Sequence, residues 1–185
     1  LDMYERGELP LRVTHNDTKI SNILMDEKTK EGICVIDLDT IMPGLSLYDF
    51  GDAIRSGATH ALEDEKDLSK VYVDLEFFEA FTKGFLEGTD GSLTKNEIKM
   101  LPMGAKVITL EQGIRFLTDY LDGDVYYKTS YEDQNLDRTR TQLKLVRDME
   151  IKWDKLNFIV DKYVLKNIVE RWILWLNLEP EDLEQ

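Results

Sequence analysis

The stretch THNDTKISNILMD, residues 14–26, gathers His15, Asp17, Lys19 and Asn22 just ahead of an apolar run. Asp17 and Asn22 are five positions apart and Lys19 lies two past the aspartate, so one compact loop can aim a base, a cation and an amide at a single point. Phosphoryl transfer requires those three groups. The acceptor hydroxyl must be oriented and relieved of its proton, the moving group carries negative charge, and magnesium must bridge the donor's oxygens. Twenty residues past Asp17, Asp37 closes the apolar run CVID. A hairpin would return it beside the loop, where its carboxylate could share magnesium with Asn22, and Asp39 is expected on the same strand face. Each residue also has a plainer reading. Asp17 and Asn22 cap turns, Asp37 ends a strand, Lys19 is a solvated loop residue, and His15 supports the loop through hydrogen bonds rather than chemistry.

These side chains need a scaffold, and the hydrophobic pattern outlines one. LRV reads as a short strand leading into the loop, and NILMD and ICVIDLD flank the charged turn EKTKEG as a hairpin. Pro43-Gly44 reads as a break, with Asp49 or Asp52 near the start of the helix that follows. LSKVYVDLEFFEAFTKGFLEG has the spacing of an amphipathic helix ending at glycine. A second helical pattern in TKNEIKMLPMGAKVITLEQGIRFLTDYLDG should be bent or divided by Pro102 and Gly104. From Asn135 to about Leu178 the pattern is helical again, with Trp153, Phe158, Tyr163, Trp172 and Trp175 read as core packing or as a dimer surface. The expectation is a single α+β domain over residues 1–185, mostly helical, whose small β-hairpin carries the catalytic and metal-binding loops.

Composition narrows the partners. The formal charge of −14 over 185 residues speaks against nucleic acid, so a phosphate-bearing substrate must be met by local cations or by metal. The one cysteine, Cys34, lies within the apolar run ICVID and is expected to be buried, with no disulfide within the chain. No apolar run approaches the roughly 20 residues of a bilayer span, which leads to the expectation of a cytoplasmic protein with no membrane contact. His60 has no metal-ligand companions nearby, so a zinc site is not expected.

HNDTKISN followed by VIDLD resembles the catalytic loop and metal-binding aspartate of kinase-fold small-molecule kinases, the aminoglycoside phosphotransferase and choline kinase family. The protein-kinase pattern of His-Arg-Asp, four residues and Asn has the same spacing. The resemblance implies the C-terminal lobe of a protein-kinase-like fold, with Mg2+ as cofactor and ATP as phosphoryl donor. It makes Asp17 the residue that orients and deprotonates the acceptor, Lys19 the cation facing the transferring phosphate, and Asn22 and Asp37 the metal ligands. His15, Asp39 and Asp49 become supports of the site, Asp49 through the segment LYDFGDAI. Two departures, Leu45 where many aminoglycoside phosphotransferases carry an aspartate and Asp37-Leu38-Asp39 in place of Asp-Phe-Gly, point away from antibiotic and protein substrates.

Over about residues 10–150 the longer pattern, including TLEQGIRFLTDYLDGDVYY and NLDRTRTQLKLV, is similar to N-acetylhexosamine 1-kinases. That similarity implies phosphorylation of the anomeric hydroxyl of N-acetylglucosamine or N-acetylgalactosamine. Arg115 and Tyr126 then take sugar-holding positions beside Asp17 and Asp37, and Thr40 is a further candidate. A neutral, hydroxyl-rich ring is well gripped by a guanidinium, a phenol and carboxylates. The plainer alternatives are a surface ion pair of Arg115 with Asp119 and ordinary packing of Tyr126. A choline or aminoglycoside-type kinase, with an aromatic cage for a cation, is the enzymatic alternative. A non-catalytic module that binds a sugar or a protein is the other.

Only about a dozen residues precede His15, and no glycine-rich phosphate loop or strand lysine appears elsewhere. The expectation is that an N-terminal nucleotide lobe belongs to the same longer polypeptide, and that this chain alone is weakly active or inactive.

Overall fold

A computed structural model describes residues 2–176, with side chains to residue 165. After a short helix α1 (Asp2–Glu5), β1 (Arg12–Thr14) enters the polar loop; β2 (Ile23–Met25) and β3 (Gly32–Val35) form the hairpin; and β4 (Met42–Gly44) returns beside β1. Helices α2 (Ser46–Gly57), α3 (Leu75–Gly88), α4 (Lys95–Lys99), α5 (Leu101–Leu121), α6 (Gln134–Ile151) and α7 (Trp153–Leu176) make up the rest. The class is α+β and mostly helical. No helix among the described residues is long and apolar enough to cross a membrane.

The strands form two separate antiparallel ribbons. β2 pairs with β3 through Ile23↔Val35 and Leu24↔Cys34, with a bulge before Met25. β1 pairs with β4 through Arg12↔Gly44 and Thr14↔Met42. Pro43, expected to break the chain, instead sits in β4 opposite Val13. A two-stranded ribbon has only edges, and an edge position tolerates the missing N–H of proline. The two ribbons hold both ends of the polar loop.

Helix boundaries follow from caps. The pattern beginning at LSKVYVD starts its α-helix only at Leu75, because the Asp74 carboxylate accepts the backbone N–H groups of Glu76 and Phe77. Upstream, Leu68–Lys70 is a short 3₁₀ turn. Thr94 and Glu97 close a reciprocal capping box on α4. The chain is divided at Met100, where Pro102 opens α5 without needing an N–H.

Gly104 does not break α5. It lies where α5 crosses α2: a Cβ on Gly51 would stand 2.6 Å from the Gly104 carbonyl oxygen, and one on Gly104 would stand 2.8 Å from Leu47 Cβ and strike the Leu47 carbonyl. The two helices therefore approach backbone to backbone. Gly104→Ala is expected to lower unfolding free energy by about 1–3 kcal/mol through overpacking, as urea denaturation would measure. An unchanged midpoint would mean that the crossing can relax.

The core lies between α2, α3 and the later helices. Phe50 meets Phe78 edge-on at 5.8 Å and Phe85 at 5.3 Å, with Leu101, Leu145, Met149 and Leu156 fully buried around them. α5 packs between α2 and α6. One expectation about burial is overturned and one is met only in part. Cys34 is exposed, because β3 has water on both faces of its ribbon rather than a second layer. Within the aromatic stripe, read as core packing or as a dimer surface, Tyr163 packs on the core, whereas Phe158 is 70% exposed; α6 ends at Ile151 and α7 starts at Trp153. The Trp172 and Trp175 side chains lie outside the described residues.

Candidate active site

The loop between β1 and β2 is shaped by Asp49, in the first turn of α2. Its two carboxylate oxygens accept the backbone N–H groups of His15 at 2.9 Å and Asn16 at 2.8 Å. Asn16 takes a positive φ of 62°, a conformation that asparagine tolerates better than most residues. His15 spans the loop: Nε2 lies 3.0 Å from the Ile36 carbonyl and Nδ1 accepts the Asp17 N–H at 3.2 Å. An acceptor Nδ1 puts a proton on Nε2, which donates to the Ile36 carbonyl. The Thr40 hydroxyl donates to the His15 carbonyl at 2.6 Å, tying the loop after Asp37 to the one before Asp17.

That frame brings four of the polar side chains together. Asp17 Oδ2 accepts Lys19 Nζ at 2.7 Å and Asn22 Nδ2 at 2.8 Å. Asp37 Oδ2 lies 3.3 Å from the same Asn22 nitrogen and 4.0 Å from Lys19 Nζ. Two carboxylates this close repel each other, and one ammonium and one amide are placed to offset that. Burial pushes the Asp17 carboxyl up, but the hydrogen bonds from Lys19 and Asn22 outweigh it and hold Asp17 below its usual range. For Lys19, partial burial works against the charge, and the hydrogen bond to Asp17 overrides it, keeping the ammonium charged.

The strand expected to carry Asp37 and Asp39 ends earlier. β3 stops at Val35, Asp37 turns left-handed at φ 64°, and Leu38–Thr40 forms a 3₁₀ turn. Asp39 is therefore not on a strand face with Asp37. It is exposed and makes no hydrogen bond to the cluster among the described residues. The left-handed turn lets Asp37 face Asn22 at the end of the hairpin.

Asp37 and Asn22 fit magnesium by donor chemistry. Both offer hard oxygens, and Mg2+ commonly takes one or two protein ligands, keeping water and phosphate oxygens for the rest. Asn22 Nδ2, not Oδ1, faces Asp37, so the amide would turn over to present its oxygen. No cluster of three or more His, Cys, Asp or Glu side chains suited to a metal exists among the described residues.

Beside Asp17 opens a cavity of about 500 Å³. Thr40, Arg115 and Tyr126, separated widely in sequence, line it together with Asp17 and Lys19. Asp37 stands outside its lining. Arg115 does not pair with Asp119. Its carboxylate partner is Glu111 at 3.7 Å, and its guanidinium lies over the rings of Tyr126 at 5.9 Å and Tyr127 at 5.7 Å. Asp119 instead accepts the N–H groups of Tyr126 and Tyr127 at 2.7 and 3.0 Å and the Asn135 amide at 2.8 Å. It thereby fixes the turn that carries both tyrosines.

Four lining residues have no signal in the loop motifs: Arg55, Glu63, Gln112 and Arg138. Arg55 on α2 is buried and grips Asp52 Oδ1 through Nε and Nη2 at 2.9 and 2.7 Å, with Nη1 on Glu63 at 2.8 Å. Arg138, on α6, stacks its guanidinium on Phe116 at 5.4 Å.

Residues 2–79 match the family model described as the phosphotransferase enzyme family, APH. The matched segment includes Asp17, Lys19, Asn22, Asp37 and Asp49, and supports phosphotransferase chemistry for the loop and hairpin. Arg115 and Tyr126 lie beyond it.

Proposed function

We propose that this chain is the acceptor and metal side of an ATP-dependent kinase that transfers the γ-phosphoryl group to the anomeric hydroxyl of an N-acetylhexosamine. One observation carries the proposal: Asp17 belongs to the Lys19–Asn22–Asp37 cluster and also lines the cavity that holds Arg115, Tyr126 and Thr40. In this reading Asp17 orients the hydroxyl and takes its proton, and Lys19 faces the moving phosphoryl group. Magnesium, held by Asp37 and Asn22, would neutralise charge on the donor's phosphate oxygens. No covalent enzyme intermediate forms.

The cavity is of monosaccharide scale, within the range of about 300–1,000 Å³ common for small-molecule sites. Its aromatic faces favour a neutral acceptor over a cationic one. Arg115 already covers Tyr126 and Tyr127, and Arg138 covers Phe116. A quaternary ammonium would have to displace guanidinium groups from those rings, against their repulsion. This weighs against choline and against polycationic aminoglycosides.

The proposal includes a nucleotide-gripping lobe outside these 185 residues. Its seat is the hairpin and the adjoining turn, where Ile33, 65% exposed, and Val35 share one face of β3, Leu24 lies on the opposite face, and Leu38 is exposed in the turn. Exposed apolar side chains gathered on one element commonly mark an interaction site.

Phosphorus NMR with magnesium-ATP and a panel of N-acetylglucosamine, N-acetylgalactosamine, unsubstituted hexoses and choline tests the reaction. The 185-residue chain and the longer polypeptide should be run side by side. A sugar 1-phosphate signal is expected only with the acetamido sugars, and strongly only in the longer protein. Silence across the panel from folded protein overturns the proposed activity and favours a binding module.

A further inference from the structure

Helix α7 is apolar on two opposite sides. Leu156, Ile159 and Val160 are buried in the core, while the side turned away from them carries Phe158 and Leu165, 70% and 64% exposed. Those two are seven residues apart, about two helical turns, so they stand in one line along the axis. The same step along the sequence reaches Trp172. Large apolar side chains lined up on an outer face favour an association that removes them from water.

The charges beside that line identify what covers it. Asp154, Lys155, Asp161 and Lys162 are all exposed. With about 100° of rotation per residue, Asp154 and Asp161 fall about 40–60° to one side of Phe158, and Lys155 and Lys162 fall as far to the other. The apolar line therefore has an acidic flank and a basic flank. In a parallel pair of helices related by a two-fold axis, each flank meets the opposite flank of its partner; in an antiparallel pair it meets its own kind. The parallel arrangement sets Asp154 of one copy beside Lys155 of the other, and Asp161 beside Lys162. Lys162 Nζ is already held by Glu79 at 2.6 Å, which leaves it two more N–H donors. A partner of one charge sign would be repelled by one flank, whereas a second copy supplies both flanks in register.

We propose that the outer face of α7 is the interface of a parallel two-fold homodimer, with Phe158 and Leu165 each packed against the same residue of the second copy between two rows of ion pairs. The inference is independent of the reaction assigned above. One helix face is a small contact beside those of permanent dimers, so the dimer forms and dissociates with concentration. Its ion pairs lie at the rim, and added salt weakens it.

Sedimentation equilibrium of the 185-residue chain across the micromolar range tests this. Wild type is compared with Phe158→Glu, with Lys155→Glu, and with the exchanged pair Asp154→Lys plus Lys155→Asp. The substituted side chains are exposed, so the core is untouched, and circular dichroism checks the folding of each variant. Wild type is expected to dimerise reversibly. Phe158→Glu should weaken the dimer by about thirtyfold or more, the worth of a central interface anchor. Lys155→Glu sets acid against acid in a parallel pair and should weaken it by about three- to tenfold, while the exchanged pair should recover the wild-type constant. An antiparallel dimer would respond the other way, because Lys155→Glu would then face a lysine and tighten it. Association through the exposed hairpin would be blind to all these changes. The inference is overturned if wild type stays monomeric, if Phe158→Glu or Lys155→Glu leaves the dimer unchanged, if Lys155→Glu strengthens it, or if the exchanged pair fails to recover it.

Discussion

Asp17→Asn is expected to lower turnover by about 10²–10⁴-fold, the usual worth of a positioned general base, in whichever polypeptide shows the activity. The substitution keeps size and an oxygen that can still accept from Lys19 Nζ, now 2.7 Å away. What it removes is the charge and the site for the acceptor's proton. Asp17 is only partly buried and its ion pair with Lys19 is half open to water, so such a pair contributes at most about 1 kcal/mol to folding. The melting temperature should therefore move by less than about 4 °C. A carboxyl held below its usual range, as Asp17 is by Lys19 and Asn22 against the effect of burial, is a weak base. It acts mainly by orienting the hydroxyl and accepts the proton late, in keeping with a loose transition state. The sign for pH follows: the ionised form persists as pH falls, so the acid limb of kcat/KM assigned to Asp17 should lie below its ordinary value of 3.8. Equal rates for wild type and variant would remove Asp17 from the role given to it, and an acid limb near pH 6 that vanishes in the variant would keep Asp17 as the base but show that its carboxyl is raised rather than held low.

The cluster around Asp17 was legible because its members are close in sequence. Asp17, Lys19 and Asn22 occupy one loop, and a hairpin, readable from NILMD and ICVIDLD, returns Asp37 to it. The left-handed turn at Asp37 was not legible, since an aspartate closing an apolar run looks the same whether it ends a strand or leaves it by a sharp turn. Cys34 was misplaced for a related reason. Apolar alternation implies burial only if a second layer exists, and the ribbon here has none to cover β3. The wall of the cavity was hidden for another reason. Arg55, Glu63 and Arg138 come from α2, the segment after it and α6, and they meet only because α5 packs between α2 and α6. No local spacing encodes that meeting. Gly51 and Gly104, which permit the close crossing, look in sequence like helix breakers.

The largest expected loss of stability comes from Glu97→Gln, at about 3 kcal/mol, or roughly a 10 °C fall in melting temperature. Glu97 is 1% exposed and carries four hydrogen bonds: Arg12 Nε and Nη2 at 2.9 and 2.7 Å, the Ser46 hydroxyl at 2.9 Å, and the Thr94 N–H at 2.7 Å. Burial alone would raise its pKa, but the Arg12 fork and the N–H and hydroxyl donors bring it down from 4.5 to about 2. Because the folded value lies below the unfolded one, the stabilisation is present in full above pH 4.5 and is lost as pH falls toward 2. A shift of that size corresponds to about 3 kcal/mol. Wild type should therefore lose stability across this window in urea titrations, while Glu97→Gln, which has no carboxyl there to titrate, should start lower and stay flatter until the two curves meet near pH 2. Parallel curves would mean that Glu97 is not the titrating group. The consequence reaches the candidate site, because Arg12 lies on the strand that enters the polar loop and Ser46 opens the helix that carries Asp49. Loosening both ends of that connection frees the carboxylate that holds the His15 and Asn16 N–H groups. In the active polypeptide, Glu97→Gln should lower turnover at temperatures where the protein is still folded, through a residue that touches no substrate.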